Sequence, residues 1–221
     1  MNGYFRLVNR EGASSLKFFP PTGNGKPIDI VDVLEYLTMK SYTCDLPTLK
    51  QAVESAGKEE KEIRLGNEKR LPERECYKLR VGPDKMQAFA KFYAASEGGE
   101  NMTAEELIND LKLRGIKCGI CTEAIEGFFA KREYLEEILV AQGREPVQGK
   151  HAWIEYKFNT DKKAKPTLKE DGSVDFFHLN ILNHCNKGDV LAVLHPEEPG
   201  EPGEDLAGNR IMPAEVRKET L

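Results

Sequence analysis

In the middle of the chain, the pattern of hydrophobic and polar positions predicts two strands and then a helix. Apolar residues alternate with polar ones over "CYKLRV" (76–81) and "MQAFAKFYA" (86–94), which is typical of half-buried strands. After the turn-forming "GGEN", Thr103 and Glu106 give the T-x-x-E pattern of a capping box. The helix that follows carries an apolar stripe, and Gly115 suits its C-terminal end.

The same order of patterns occurs twice along the chain. "YFRLVNREG" at Tyr4 parallels "YKLRVGPDK" at Tyr77, and further on Cys44 falls opposite Cys118. In each copy we expect strand, strand, helix, short strand and helix. In the second copy, "IKCGI" is the short strand and Thr122 caps the last helix. We interpret the first two thirds of the chain as a duplicated αβ module.

The "CGIC" segment raises the alternative of a thiol-redox site at Cys118 and Cys121. The first copy has Asp29 before "IVDVLEYL" and Pro47 where the second has Cys121. Proline suits a first helical turn because the amide it lacks would be unpaired there. The strand-to-helix turn therefore needs no dithiol, and we interpret the pair as structural. Cys121 lies near a helix N-terminus, where a lowered pKa would leave redox chemistry open.

In the C-terminal third, the helical patterns give way to short strand patterns separated by turns. Gly143 and Gly149 bracket a proline-containing turn, and "HAWIEYKF", "DGSVDFFHL" and "CNKGDVLAVL" read as short strands separated by turns. Gly188 is expected to take a positive φ between two of them. We expect the Pro-Gly pairs of "HPEEPGEPGEDL" to stiffen a surface loop.

These patterns predict an α+β fold with three parts. Residues 1–72 and 73–142 would be the two related αβ modules, and residues 143–221 a β-rich, barrel- or sandwich-like domain with a Pro/Gly-rich loop. A chain of 221 residues is long enough to bury a sizeable core in such an arrangement.

Composition and charge narrow the classes of function. Hydrophobic residues make up 39% and charged residues 31%, as in ordinary globular proteins. A net charge of -5 and a pI near 5.6 argue against nucleic-acid binding. The apolar runs are too short to span a bilayer, no secretory signal is visible, and five cysteines suit reduced thiols. We expect a cytoplasmic protein without membrane insertion.

Other candidate chemistry is sparse. "NTDKKAKP" is similar to the hairpin of lipoyl carrier domains, with Lys162 as the acylated residue, so an acyl-carrier role stands as an alternative. Asp171, Asp175 and Asp189 fall where tight turns favour aspartate. The histidines and cysteines lack metal-ligand spacing, and no nucleophile elbow or phosphate loop is present. We expect no catalytic residue, metal or cofactor.

The second half resembles the flagellar assembly protein A family. Its pattern is A-x-G-x-x-P-x-x-G, then D-G-x-V-D, then a K-G-D-x-L-A strand and a tail rich in proline and glycine. The matching residues are Gly143, Pro146, Gly149, Asp171, Gly172, Asp175, Lys187, Gly188, Asp189, Pro199, Gly200, Gly203 and Gly208. The resemblance covers roughly residues 77–221.

This resemblance implies a cytoplasmic, non-enzymatic protein associated with flagellar assembly or its polar placement. The family motif consists mainly of glycines and prolines that shape turns, so the resemblance implies no catalytic residue. Family members continue beyond "GNRI" into a β-solenoid-like region, so we expect an N-terminal fragment or a short paralogue. The leading hypothesis is a scaffold that binds a protein partner, and a homo-oligomer stays open. The alternative is a thiol-redox or lipoyl-like carrier using Cys118 and Cys121 or Lys162.

Overall fold

The computed structural model describes residues 1–10, 12–68, 72–158, 160, 167–168, 174–175 and 185–220. These residues form four α-helices and several small sheets in which the longer strands pair antiparallel. The protein is therefore of the α+β class, as predicted. No sheet of the described residues closes into a barrel, so the barrel-like alternative is wrong for this part of the chain.

The chain divides into two compact units. The first comprises residues 1–145 and 204–210, and the second comprises residues 146–203 and 211–221. The finer division at 72 and 142 stays a prediction.

Within the first unit, two stretches have the same order of elements: strand, strand, helix, helix, strand. The earlier stretch contains β1 (Tyr4–Arg10), β2 (Ala13–Phe19), α1 (Ile30–Met39), α2 (Leu46–Ser55) and β3 (Lys61–Glu68). The later stretch contains β4 (Cys76–Val81), β5 (Gln87–Tyr93), α3 (Ala104–Leu113), α4 (Thr122–Lys131) and β6 (Glu137–Gln142). The second strand is central in both sheets, whose orders are β1-β2-β3 and β4-β5-β6.

The short strand expected between the helices of each copy is absent. "IKCGI" contributes only a single bridge between Ile120 and Ala141, and each copy ends in a strand instead. Gly119 explains the difference, because its φ of 69° breaks the extended backbone. A side chain there would place Cβ 1.9 Å from the Gln142 carbonyl oxygen, so the backbones approach too closely for another residue.

The helix starts follow the predicted caps. The Asp29 carboxylate accepts from the Val31 amide at 2.9 Å, and Pro47 stands in the first turn of α2. At α3, the Thr103 hydroxyl accepts from the Glu106 amide at 3.2 Å, while the Glu106 carboxylate accepts from the Thr103 amide at 3.0 Å. The capping box is confirmed, and these side chains satisfy amides that the helices cannot pair internally.

The register of the first strands corrects the sequence alignment by one residue. Phe5 pairs with Phe18 in the first sheet, and Tyr77 pairs with Phe92 in the second. All four side chains are buried, whereas Tyr4 is half-buried on the opposite face of its strand. Since side chains alternate along a strand, matching Tyr4 with Tyr77 would exchange the two faces. By position in its sheet and by burial, Phe5 rather than Tyr4 matches Tyr77.

Each sheet covers its own hydrophobic cluster, to which the helices contribute at corresponding turns. α1 and α2 bury Val33, Tyr36, Leu37, Leu49 and Ala52, and α3 and α4 bury Leu107, Leu111, Ile125 and Phe128. Apolar residues of the adjacent strands complete both clusters.

One pair of corresponding core positions differs in chemistry. In the first cluster, the ring of Phe5 packs edge-on against Tyr36, with centroids 5.3 Å apart. In the second, the Tyr77 hydroxyl donates to the Asp110 carboxylate at 2.5 Å. This hydrogen bond holds the pKa of Asp110 below its usual value. The earlier stretch thus has an aromatic contact where the later stretch has a polar contact.

The second unit is built from short strands. β7 (Trp153–Tyr156) pairs antiparallel with β10 (Ala192–His195), and the Trp153 ring stacks on His195 at 4.1 Å. This unit also contains β8 (Thr167–Leu168) and β9 (Val174–Asp175). The paired strands β11 (Gly203–Glu204) and β12 (Arg210–Ile211) lie at the boundaries of the segment 204–210, which belongs to the first unit. Lys162, Asp171 and Gly172 lie outside the described residues, so the structure does not bear on the carrier alternative.

Candidate functional site

The two cysteines of "CGIC" lie where the chain enters α4. Cys121 is the N-cap residue and makes no side-chain cap hydrogen bond, and Thr122 is already the first helical residue. The expectation that Thr122 caps this helix is therefore wrong. Both thiols are half-buried and neither is in a disulfide.

The electrostatic setting of these thiols disfavours a thiolate. Burial raises the pKa of Cys121 above its usual value, contrary to the lowered pKa expected at a helix N-terminus. Burial also raises the pKa of Cys118, and its hydrogen bond with Glu204 adds to the effect. Nucleophilic thiol chemistry requires the opposite shift. Within the described residues, no group of three or more His, Cys, Asp or Glu side chains could hold a metal ion.

Residues 143–150 are extended and pair with residues 198–204. Both backbone hydrogen bonds are exchanged at three positions. These are Arg144 with Glu204, Val147 with Glu201, and Lys150 with Glu198. Pairing therefore recurs at every third residue, whereas a β-ladder follows a two-residue period. Three residues per turn is the repeat of polyproline II. The turn expected between Gly143 and Gly149 is therefore an extended segment, and the Pro-Gly segment expected to be stiff pairs with it.

This three-residue repeat explains the spacing of the prolines and glycines. Pro146 and Pro199 fall between pairing positions, so the amide that proline lacks costs no hydrogen bond. A Cβ on Gly149 would lie 2.4 Å from the Glu198 carbonyl oxygen, and one on Gly200 would lie 2.4 Å from that of Val147. Only glycine permits so close an approach of two backbones.

Beyond this ladder, residues 204–210 return to the first unit. The Asp205 carboxylate accepts from the Ala207 amide at 2.9 Å and the Asn209 amide at 2.8 Å, which closes a tight turn. Gly208 completes it with a φ of 89°. Leu206 is buried in the second hydrophobic cluster, and its carbonyl accepts from the Lys117 amide at 2.7 Å. Leu206 is therefore part of the core of the first unit.

The K-G-D segment forms a separate turn in the second unit. Gly188 has a φ of 103°, and the Asp189 carboxylate accepts from the Asn186 amide at 2.6 Å. Lys187 stands in the same turn, before β10. The described residues of the motif therefore shape backbone, and the structure does not gather them into a chemical site.

An apolar groove lies along the exposed side of α1. Val31, Leu34 and Met39 are 54%, 38% and 43% exposed and line a cavity of about 490 Å³ with Lys78 and Tyr93. Its charged rim is neutralised, since the Lys78 ammonium contacts Glu35 at 2.7 Å and thereby lowers the pKa of that carboxylate. The sequence "IVDVLEYLTM" is apolar on more than one helical face, which indicates that apolar side chains stay exposed when one face packs on the core.

A comparison with family profiles matches residues 77–221 to "Flagellar Assembly Protein A N-terminal region". The match covers well over half of the chain. The chain belongs to this family. The predicted resemblance is thereby confirmed, and the protein is related to flagellar assembly.

The family segment starts inside β4 and includes the rest of the later αβ stretch. It also includes the paired segments 143–150 and 198–204 and the segment 204–210. β1 to β3, with α1 and its apolar residues, lie outside the matched segment. No curated protein and no solved structure matches the chain. No helix among the described residues is long and apolar enough to cross a membrane.

Proposed function

We propose that this protein is a non-enzymatic, cytoplasmic scaffold that docks a protein partner in flagellar assembly. The single observation that supports docking is the exposed apolar groove of α1, formed by Val31, Leu34 and Met39. Apolar side chains gathered in one groove lose unfavourable contact with water when a partner covers them. Family membership supplies the context of flagellar assembly.

The corresponding face of α3 does not have this character. Where α1 has Val31 at its second position, α3 has the exposed Glu105. Where α1 has the exposed Leu34, α3 has Ile108, which packs against the second hydrophobic cluster. A groove present on one of two similar helices favours a specific role over a general consequence of the fold.

We further infer that residues 4–68 and 76–142 are two copies of one ββααβ module. The common order of elements and sheets supports this, as do the corresponding buried turns of the helices. An irregularity in the ladder supports it as well, since the register shifts between Ala13 and Ser15 in one copy and between Ala88 and Phe89 in the other. The proposed domain division is residues 1–72, 73–142 and 143–221, with the last forming a sandwich-like domain.

A photo-crosslinking amino acid at position 34 tests the docking proposal in cells of the native host. The matched control carries the same amino acid at position 113, because Leu113 is 86% exposed on α3 and lies outside the groove. We expect one protein to crosslink at position 34 and not at 113, and Leu34→Glu to abolish its association. A crosslink to a second copy would identify a homo-oligomer. Equal labelling at both positions would overturn the docking groove.

A further inference from the structure

Arg6 stands out by the surroundings of its guanidinium group. Among the described residues, Lys17, Lys78, Lys91 and Arg132 each contact a carboxylate, but Arg6 makes no such contact. Its Nε atom is also buried without a hydrogen-bond acceptor from the protein, and it is alone in this among the side-chain atoms of the described residues. A buried N–H without an acceptor costs about 1–3 kcal/mol, so such a group requires an explanation.

The Arg6 side chain is held in place by aromatic rings. It lies on the outer face of β1, with its guanidinium carbon 5.2 Å from the centre of the Phe19 ring. Tyr4 stacks on the same ring at 4.6 Å. Lys17 also lies over that ring, at 5.0 Å, but its ammonium contacts Glu60 at 2.6 Å. Of the two cations on Phe19, Arg6 is the one left without an anion.

Arg6 lines a polar cavity of about 290 Å³. The cavity walls include Ser96, Asn101 and Tyr134, and none of its lining residues is acidic. It therefore has a positive charge and polar groups in a protein whose net charge is -5.

The far wall of the cavity is a fixed turn. The Ser96 hydroxyl accepts from the Glu73 amide at 2.7 Å, and the Glu97 amide donates to the Leu7 carbonyl at 2.9 Å. Gly98 closes the turn with a φ of 78°. These bonds tie the turn to β1 and to the segment before β4, so the cavity is formed before any ligand binds.

We propose that this cavity binds a carboxylate group, with the Arg6 guanidinium as the principal donor. A guanidinium fork matches the planar carboxylate, which can accept from the two terminal nitrogens of the guanidinium together. With Lys17 already neutralised, the cavity offers one positive charge, which suits one carboxylate better than a doubly charged phosphate. The volume lies at the small end of ligand sites, so a small free carboxylate or an acidic side chain of a bound protein fits. This proposal does not depend on the groove of α1.

Nuclear magnetic resonance of the full chain tests the proposal through the Arg6 Nε–Hε signal, assigned by its loss in Arg6→Met. The titrants are sodium acetate, a capped peptide with one glutamate, its glutamine counterpart, sodium phosphate and sodium chloride. We expect saturable shifts with acetate and the glutamate peptide, with a dissociation constant of about 1 mM or weaker. Tighter binding of the peptide would identify a protein side chain as the source, and equal or tighter binding of acetate a free carboxylate.

Two variants separate a specific site from general attraction. Arg6→Met is expected to weaken carboxylate binding at least about tenfold, because it removes the charge and its donors. Binding to this variant is measured from the signals of the cavity turn. Lys17→Gln changes a cation on the same ring outside the cavity and is expected to leave binding unchanged. Equal loss in both variants would overturn the proposal. So would a response to phosphate alone, or shifts no larger than those with chloride at equal ionic strength.

Discussion

Replacing Glu75 by glutamine tests whether a buried ion pair holds the second αβ stretch together. The Glu75 side chain is 0% exposed. Its carboxylate accepts from Arg132 Nη1 at 2.6 and 2.5 Å, from the Tyr134 hydroxyl at 2.9 Å and from the Met102 amide at 2.7 Å. These donors come from the end of α4 and the segments that flank it and α3. One carboxylate therefore ties the segment before α3 and the segment after α4 to the segment before β4.

The magnitude follows from the burial of the pair. Glutamine is close in shape, but its amide group would turn an N–H toward one of the donors and leave Arg132 without a counter-ion. Breaking a buried ion pair on one side costs about 3–5 kcal/mol. Arg132 is 29% exposed, so water compensates part of the loss, and we expect about 3 kcal/mol. With a urea m-value of about 2 kcal/mol per molar, the midpoint falls by about 1.5 M.

The assay must report on the correct unit. All four helices of the described residues belong to the first unit, so the far-ultraviolet helical signal follows its unfolding. Trp153, the single tryptophan, belongs to the second unit, and its fluorescence follows that unit separately.

Glu137→Gln is the matched control, since its partner Arg80 is 54% exposed and such surface pairs contribute little. If Glu75→Gln unfolds at the same urea concentration as Glu137→Gln, the argument from burial is refuted.

Three further predictions concern other parts of the molecule. Asp110→Asn should flatten the acid limb of the stability curve. The folded pKa of Asp110 lies below its unfolded value of about 3.9, so its contribution is present above that pH and lost as pH falls through the folded pKa; an unchanged acid limb would contradict this. Gly200→Ala should destabilise the second unit by about 1–3 kcal/mol through overpacking, whereas Gly127→Ala in α4, where nothing lies within 4 Å, should stabilise the first by about 0.5–1 kcal/mol. Urea titrations of Gly200→Ala and Gly127→Ala test both predictions, because the two changes in the free energy of unfolding should have opposite signs. The double substitution Cys118→Ser and Cys121→Ser should leave the urea midpoint nearly unchanged. In the wild-type protein, the alkylation rate of these two thiols should reach half of its maximum only above about pH 8.5. Rapid alkylation at neutral pH would reopen thiol chemistry.

The features that the sequence predicts correctly depend on contacts between near neighbours. Asp29 and Thr103 cap helices through bonds that reach only two or three residues along the chain. The Gly115 φ of 91° ends α3 for an equally local reason. Such features are visible in a short window because the interacting atoms belong to the same few residues.

Errors arose where the partner of a residue is distant in sequence. "YFRLV" and "YKLRV" both begin with tyrosine, and identity placed Tyr4 opposite Tyr77 although burial selects Phe5. The apolar pattern of β1 contains the correct phase, since Phe5 and Leu7 are both buried. Alternation is therefore a better guide to strand register than matching letters.

The Pro-Gly tail illustrates a different limit. Prediction from composition gives a loop, because proline and glycine are rare in regular structure. Yet Val147 pairs with Glu201, which is far away in sequence, and proline and glycine both suit this pairing. Proline has no amide hydrogen that needs an acceptor between pairing positions, and Gly200 has no side chain that would keep the two backbones apart. A three-residue spacing of glycine or proline in two separated segments is the pattern from which such a ladder could have been predicted.

The Arg6 cavity shows why a candidate site could not be found from any local pattern. In the sequence, Arg6 is one of 32 basic residues interleaved with 37 acidic ones, and nothing near it marks it as unpaired. Its character arises from a fold in which the segment before β3 presents Glu60 to Lys17 on β2, but no carboxylate reaches Arg6. An unpaired cation is defined by what the tertiary structure fails to bring near it. Sequence motifs, which record only residues that are present, cannot express that condition.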